Sequence, residues 1–144
     1  MNKRLWITMG LFALLAAPGV AQTTTDSRTI QVEINYTGAG AVNASHKIYV
    51  ALWNSADLSG GPPADVKSLD SKKGAVTFSG VQTVPAYVST AYDPTGTWDA
   101  QTPPPSGTSL GMFAKNPLTP LPIDVAPGKT VKVSITFNDS VKTP

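Results

Sequence analysis

The chain of 144 residues contains no cysteine and one histidine, His46. The first absence excludes disulfides, thiolate zinc sites, iron–sulfur clusters and a cysteine nucleophile. The second excludes any site that needs two imidazoles. Charge is sparse too: 11 Lys and Arg stand against 9 Asp and Glu, a formal net charge of +2. That balance is too near neutral for a nucleic-acid binder, which needs a dense basic face. Sparse charge does not signal disorder here, because the apolar share is an ordinary 41%. There is no Walker loop, dinucleotide fingerprint or Gly-x-Ser-x-Gly elbow. His46 begins a strand between Ser45 and Lys47, neighbours that do not make it a general base. No catalytic residue is expected.

What is present begins with a three-part leader. Met1-Asn2-Lys3-Arg4 precedes the apolar run 5–17, and Pro18-Gly19-Val20-Ala21 places small residues before a cut after Ala21. This is the layout of a secretory signal peptide, and the run falls short of the roughly 20 residues that span a bilayer. With no cysteine at the cut, a lipid anchor there is excluded. The expectation is an exported protein, periplasmic or secreted, with no membrane attachment after cleavage. The remainder, Gln22 to Pro144, suits one domain. Cleavage takes away Lys3 and Arg4 and no acid, leaving nine basic residues against nine acidic. Such a domain is suited to recognition by shape, hydrogen bonds and aromatic surface rather than by net charge.

Residues 22–28 form a polar lead expected to fray. Thr29 to Tyr36 then alternates, with Ile30, Val32, Ile34 and Tyr36 on one face and Gln31, Glu33 and Asn35 on the other. That is a half-buried strand. Lys47 to Trp53 is apolar on both faces, Ile48, Val50 and Leu52 against Tyr49, Ala51 and Trp53, which suits a central strand. Gly60-Gly61-Pro62-Pro63 stops regular structure. Weaker strands are read at 66–69 and 75–78, a clear one at 86–92, a brief edge at 110–113, and a short piece around Ile123 and Val125. Pro117, Pro120 and Pro122 forbid a central strand between these last two. Thr130 to Phe137 alternates cleanly. No helical period appears after the leader. About seven strands at roughly ten-residue spacing, separated by Gly/Pro turns, predict a single antiparallel β-sandwich over 29–140, with a tail at 141–144.

The stretch after the fifth strand carries a resemblance. Tyr87 and Tyr92 lead into Asp93-Pro94-Thr95-Gly96-Thr97-Trp98-Asp99, then Pro103-Pro104-Pro105-Ser106-Gly107 and Leu110-Gly111-Met112-Phe113. Pro122-Ile123 and the strand opened by Pro127-Gly128-Lys129 complete the pattern. From about Ile30 to Ser140 the chain resembles the transthyretin-like, carboxypeptidase-regulatory-like β-sandwiches of exported bacterial proteins. The resemblance implies a seven-stranded sandwich, usually without catalysis, that accompanies enzymes, surface receptors or adhesion machinery. Many such proteins carry an acidic loop able to hold Ca²⁺. Here Pro94, Thr95 and Thr97 replace most of those donors.

Two sets of candidate residues follow. Asp93 and Asp99 are the candidate calcium ligands; Asx-type turn capping is the favoured alternative, because calcium takes about 6–8 oxygens. No other cofactor is expected. Trp98, Trp53, Tyr87 and Tyr92 are candidate ligand-binding aromatics for a sugar ring or a peptide, weighed against ordinary burial. The functional expectation is a binding or accessory module whose partner is a glycan or another exported protein. The alternatives are a carbohydrate-binding module built on loop aromatics and a structural subunit of a surface or adhesion assembly.

Overall fold

The computed structural model describes residues 26–117 and 119–144, so the export segment read at 1–21 lies outside the described residues. Alternating apolar residues pair into strands because only one face of each can leave water. The strands are β1 (Thr29–Tyr36), β2 (Ile48–Trp53), β3 (Asp65–Leu69), β4 (Lys73–Ser79) and β5 (Tyr87–Tyr92). They continue with β6 (Ser109–Met112), β7 (Ala114–Asn116), β8 (Thr119–Pro120) and β9 (Thr130–Phe137). The protein is all-β, with no helix among the described residues. Three strands form one sheet in the order β4-β1-β9, and four form another in the order β3-β2-β5-β6.

The two sheets share one core. The first sheet contributes Ile30, Val32, Ile34 and Tyr36 from β1, Val76 and Phe78 from β4, and Val133, Ile135 and Phe137 from β9. The second contributes Ile48, Val50 and Leu52 from β2, with Val88 and Tyr92 from β5. Val81, Ala86, Ile123 and Val125 complete the cluster from the connections. Each fully buried Ile, Val or Phe contributes about 1.5–3 kcal/mol relative to exposure.

Three features differ from the sequence reading. The first is direction. β1 and β9 run parallel, in register from Thr29↔Thr130 to Tyr36↔Phe137, where an all-antiparallel arrangement was expected. Hairpin geometry constrains only consecutive strands, and these two are separated by the rest of the domain. The second is a small two-stranded hairpin, β7-β8, in the proline-rich stretch; it stands apart from both main sheets. The third concerns the ends. Ser27 accepts a hydrogen bond from the Gly80 N–H at 3.1 Å, and Arg28 Nε donates to the Val125 carbonyl at 3.0 Å, so these lead residues are tied down. The expected tail is likewise held. The Leu110 N–H donates to the Val141 carbonyl at 2.8 Å, and the Thr143 N–H to the Thr108 carbonyl at 3.0 Å. The C-terminal residues thereby lie along the edge of β6.

At one end of the core sits a polar clip. Tyr36 stacks against Tyr92 and tilts against Phe137, each with ring centroids 4.9 Å apart. Its hydroxyl donates to Asp139 Oδ1 at 2.5 Å, and the Ser109 hydroxyl donates to the same oxygen at 2.7 Å. The Ala39 N–H donates to Asp139 Oδ2 at 2.9 Å. One carboxylate thus joins the loop after β1, the start of β6 and the segment after β9. Hydrogen bonds from Tyr36, Ser109 and Ala39 draw the Asp139 carboxyl down to about 2. Burial, followed by the hydrogen bond to Asp139 and its charge, pushes the Tyr36 phenol up to about 12. Beside this clip the two sheets approach closely at Gly111. A Cβ there would lie 2.6 Å from Phe137 Cβ and 2.9 Å from Thr90 Cγ2.

Two outcomes are expected. Asp139→Asn should lower unfolding free energy near neutral pH by about 1–3 kcal/mol, measured by urea titration. Because the folded carboxyl titrates below its ordinary 3.8, ionised Asp139 stabilises the fold above about pH 4. That contribution is lost as pH falls towards about 2, so the variant should show a shallower acid limb than the parent. Gly111→Ala should cost about 1–3 kcal/mol by overpacking, read as a lowered Tm.

Candidate functional site: an aromatic cleft on the outer face of the four-stranded sheet

The odd-numbered residues of β2 and β5 point away from the core. The register sets Ala51 opposite Ser89, Tyr49 opposite Ala91 and Trp53 opposite Tyr87. On the flanking strands Val66 stands opposite Ala51, Leu110 opposite Ala91 and Met112 opposite Ser89. Small side chains at 51, 89 and 91 therefore make a hollow between larger apolar neighbours. Two loops wall it, one running from Ala56 to Pro63 and one from Trp98 to Pro104. The half-open cleft measures about 900 Å³.

The second wall is organised by Asp93, which is 1% exposed. Its Oδ1 accepts the Thr95 N–H at 2.9 Å and the Thr95 hydroxyl at 2.7 Å, and its Oδ2 accepts the Trp98 N–H at 3.1 Å. Burial alone would raise this carboxyl. The hydrogen bonds from the Thr95 side chain and backbone, and then from the Trp98 and Gly96 backbone, overcome that and hold it below the ordinary carboxylate range. Gly96 takes φ +72°, with the Ser45 carbonyl 2.9 Å from where a Cβ would sit, so glycine suits both the turn and the space.

Trp98 closes the loop over the sheet. Its Nε1 donates to the Thr102 carbonyl at 2.9 Å, and its own carbonyl accepts the Tyr49 hydroxyl at 3.0 Å. The Tyr49 and Trp98 rings meet edge to face, with centroids 5.0 Å apart and planes at 76°. Trp53 Nε1 donates to Ser89 Oγ at 2.9 Å across the β2-β5 pair. Burial first, then the charges of Asp93 and Asp99, raise the Tyr49 phenol above its ordinary value.

The structure brings Trp98 and Trp53 into one cleft. Tyr87 shares the outer face, directly opposite Trp53, and is half-buried. Tyr92 is a correction: it lies on the core side, 6% exposed and stacked on Tyr36, with its hydroxyl donating to the Ala41 carbonyl at 2.9 Å. It presents no face to the cleft. Asp93 and Asp99 do not fit a calcium ion. The Asp93 oxygens are filled by N–H and O–H donors, and exposed Asp99 accepts the Gln101 N–H at 2.9 Å. Among the described residues, no three acidic, His or Cys side chains gather around a common point. His46 stands outside the cleft, its Nδ1 3.4 Å from Asn43 Oδ1.

Sequence reasoning overlooked Tyr49, the small residues at 51, 89 and 91, and the proline walls. The signal was there in β2, whose second face is also apolar. Among the described residues no further layer of strands or helices packs on that face, so loops cover it or it stays open to a ligand. No family model, curated protein or solved structure matches the chain.

Asp93→Asn keeps one acceptor but sets an amide NH₂ against the Thr95 or Trp98 N–H. It should lower stability by about 1–3 kcal/mol in chemical denaturation. It should also shift the Trp98 indole signal in a ¹⁵N correlation spectrum while leaving that of Trp53 in place.

Proposed function

We propose that this chain is an exported binding or accessory module without catalytic activity. In this reading it is a two-layer β-sandwich of the transthyretin-like, carboxypeptidase-regulatory-like kind, and its ligand site is the cleft over β2 and β5. The observation that carries the reading is the cleft itself: about 900 Å³, floored by a sheet face that carries Tyr49 and Trp53 and walled by Trp98 and prolines. Sites for small molecules are concave, mostly apolar and in this size range. The seven principal strands, in sheets of three and four, support the sandwich resemblance.

The hydrogen-bond pattern bears on what such a site would take. The Tyr49 hydroxyl and both indole N–H groups are already donating within the protein. A sugar needs donors and acceptors for its hydroxyls as well as an aromatic plane to lie on. The apolar floor therefore supports a ligand with an apolar body better than it supports a glycan.

Ala51→Leu tests the proposal, because it puts three extra side-chain carbons into the hollow instead of into the core. The fold should survive, with stability within about 1.5 kcal/mol of the parent. The uncharged fluorophore N-phenyl-1-naphthylamine should bind the parent saturably with a blue-shifted emission, and bind the variant at least tenfold more weakly. Equal binding to both proteins, or none to the parent, would remove the cleft as the site.

A further inference from the structure

The charge around the cleft is of one sign. Among the described residues that line it there is no Lys, Arg or His, and the one ionisable acid is Asp57. Asp57 stands in the loop from Ala56 to Pro63, where its Oδ1 accepts the Ser59 N–H at 3.0 Å and the Ser59 hydroxyl at 2.7 Å. Those bonds to Ser59 hold the carboxyl below its ordinary value, so it stays ionised. Across the cleft, Asp93 and exposed Asp99 flank Trp98 in the chain, and their charges act on Tyr49 in the floor. Asp57 is thus the one charge on the cleft's lining, with no cation there to balance it.

The donors on the aromatic side chains are already used. The Tyr49 hydroxyl and the indole N–H groups of Trp53 and Trp98 bond to protein acceptors, as does the Ser59 hydroxyl. What the aromatics can still offer a guest is their π surface, whose negative face attracts cations. An anion would meet repulsion from Asp57. A polyhydroxylated ligand would set many of its hydroxyls against the apolar floor of Ala51, Ala91 and Met112, at a cost for each buried polar group left unpaired. A cation with an apolar body meets neither penalty.

Resting on the proposed role of the cleft, we infer that its ligand class is an organic cation. A substituted ammonium would lie against the ring faces of Trp53 and Trp98, near Asp57, with its apolar body on the Ala51, Ala91 and Met112 floor. A substituted ammonium suits this place because cation–π attraction and apolar contact do not require the donors the cleft has already used.

The experiment uses the full chain and three probes of similar shape: phenyltrimethylammonium, its uncharged isostere tert-butylbenzene, and benzenesulfonate. Binding is followed by the indole signals of Trp53 and Trp98, assigned through Trp53→Phe and Trp98→Phe, at low ionic strength. The expected order is ammonium at least about fivefold tighter than isostere, with no binding of the sulfonate. Asp57→Asn should lower the ammonium-to-isostere preference about two- to fivefold without changing isostere affinity, and added salt should do the same. Ala51→Leu should weaken ammonium and isostere together. Equal affinity for ammonium and isostere, unmoved by Asp57→Asn, would overturn the cation preference and leave the cleft standing as an apolar site. Tighter binding of the sulfonate would overturn it as well. If the ammonium and the isostere both fail while N-phenyl-1-naphthylamine binds, the inference falls alone; if that fluorophore fails too, the proposed site falls with it.

Discussion

The antiparallel pairing of β2 with β5 is the constraint on which the rest depends. Side chains alternate across a strand, so one register decides two surfaces at once. Ile48, Val50, Leu52, Val88 and Tyr92 go to the core, while Tyr49, Ala51, Trp53, Tyr87, Ser89 and Ala91 go to the outer face. A slip of one residue would bury Trp53 against the other sheet and turn Leu52 outward. The core and the cleft are two faces of a single pairing. The cleft floor is therefore a hydrogen-bonded sheet, while its walls are loops.

The loops are held by side chains bonding to the backbone, because no ladder is available to them. Asp93 gathers Thr95 and Trp98, Asp57 gathers Ser59, and Asp139 gathers Tyr36, Ala39 and Ser109. In each case an aspartate stands at the centre of a turn and satisfies donors that would otherwise lack partners. Much of the acidic complement of a lightly charged chain is spent in this way. Only one salt bridge, Lys67 with Asp65 at 3.5 Å, is seen among the described residues, and both partners are well exposed. Such pairs contribute little.

Much of the fold was legible in the sequence, and the reason is periodicity. Thr29–Tyr36 and Thr130–Phe137 alternate without interruption, and the structure begins and ends β1 and β9 at those residues. Direction was not legible, since nothing in the composition of two strands says whether they run parallel once they are far apart in the chain. The candidate site was legible in part. Trp53 and Trp98 were identifiable as aromatics with a polar edge. Tyr92 was grouped with Tyr87, yet the two are five residues apart on one strand, and an odd separation puts them on opposite faces. The cleft as a volume could not be read at all, because it arises where loop 56–63 and loop 98–104 approach the sheet, and loops carry no period.

The parallel β1-β9 pair has a kinetic side. Its partners are the first and the last long strands of the domain, matched residue for residue from Thr29↔Thr130 onward. Contacts this distant in sequence carry a large loop-closure entropy and form slowly. Until the final strand is available, β1 is flanked on one side only, and Val133, Ile135 and Phe137 are missing from the core. A nascent chain ending anywhere before residue 130 therefore cannot close its hydrophobic interior. Until that strand is in place the apolar faces of β1 and β4 stay without their β9 neighbours, the kind of exposed surface that favours aggregation.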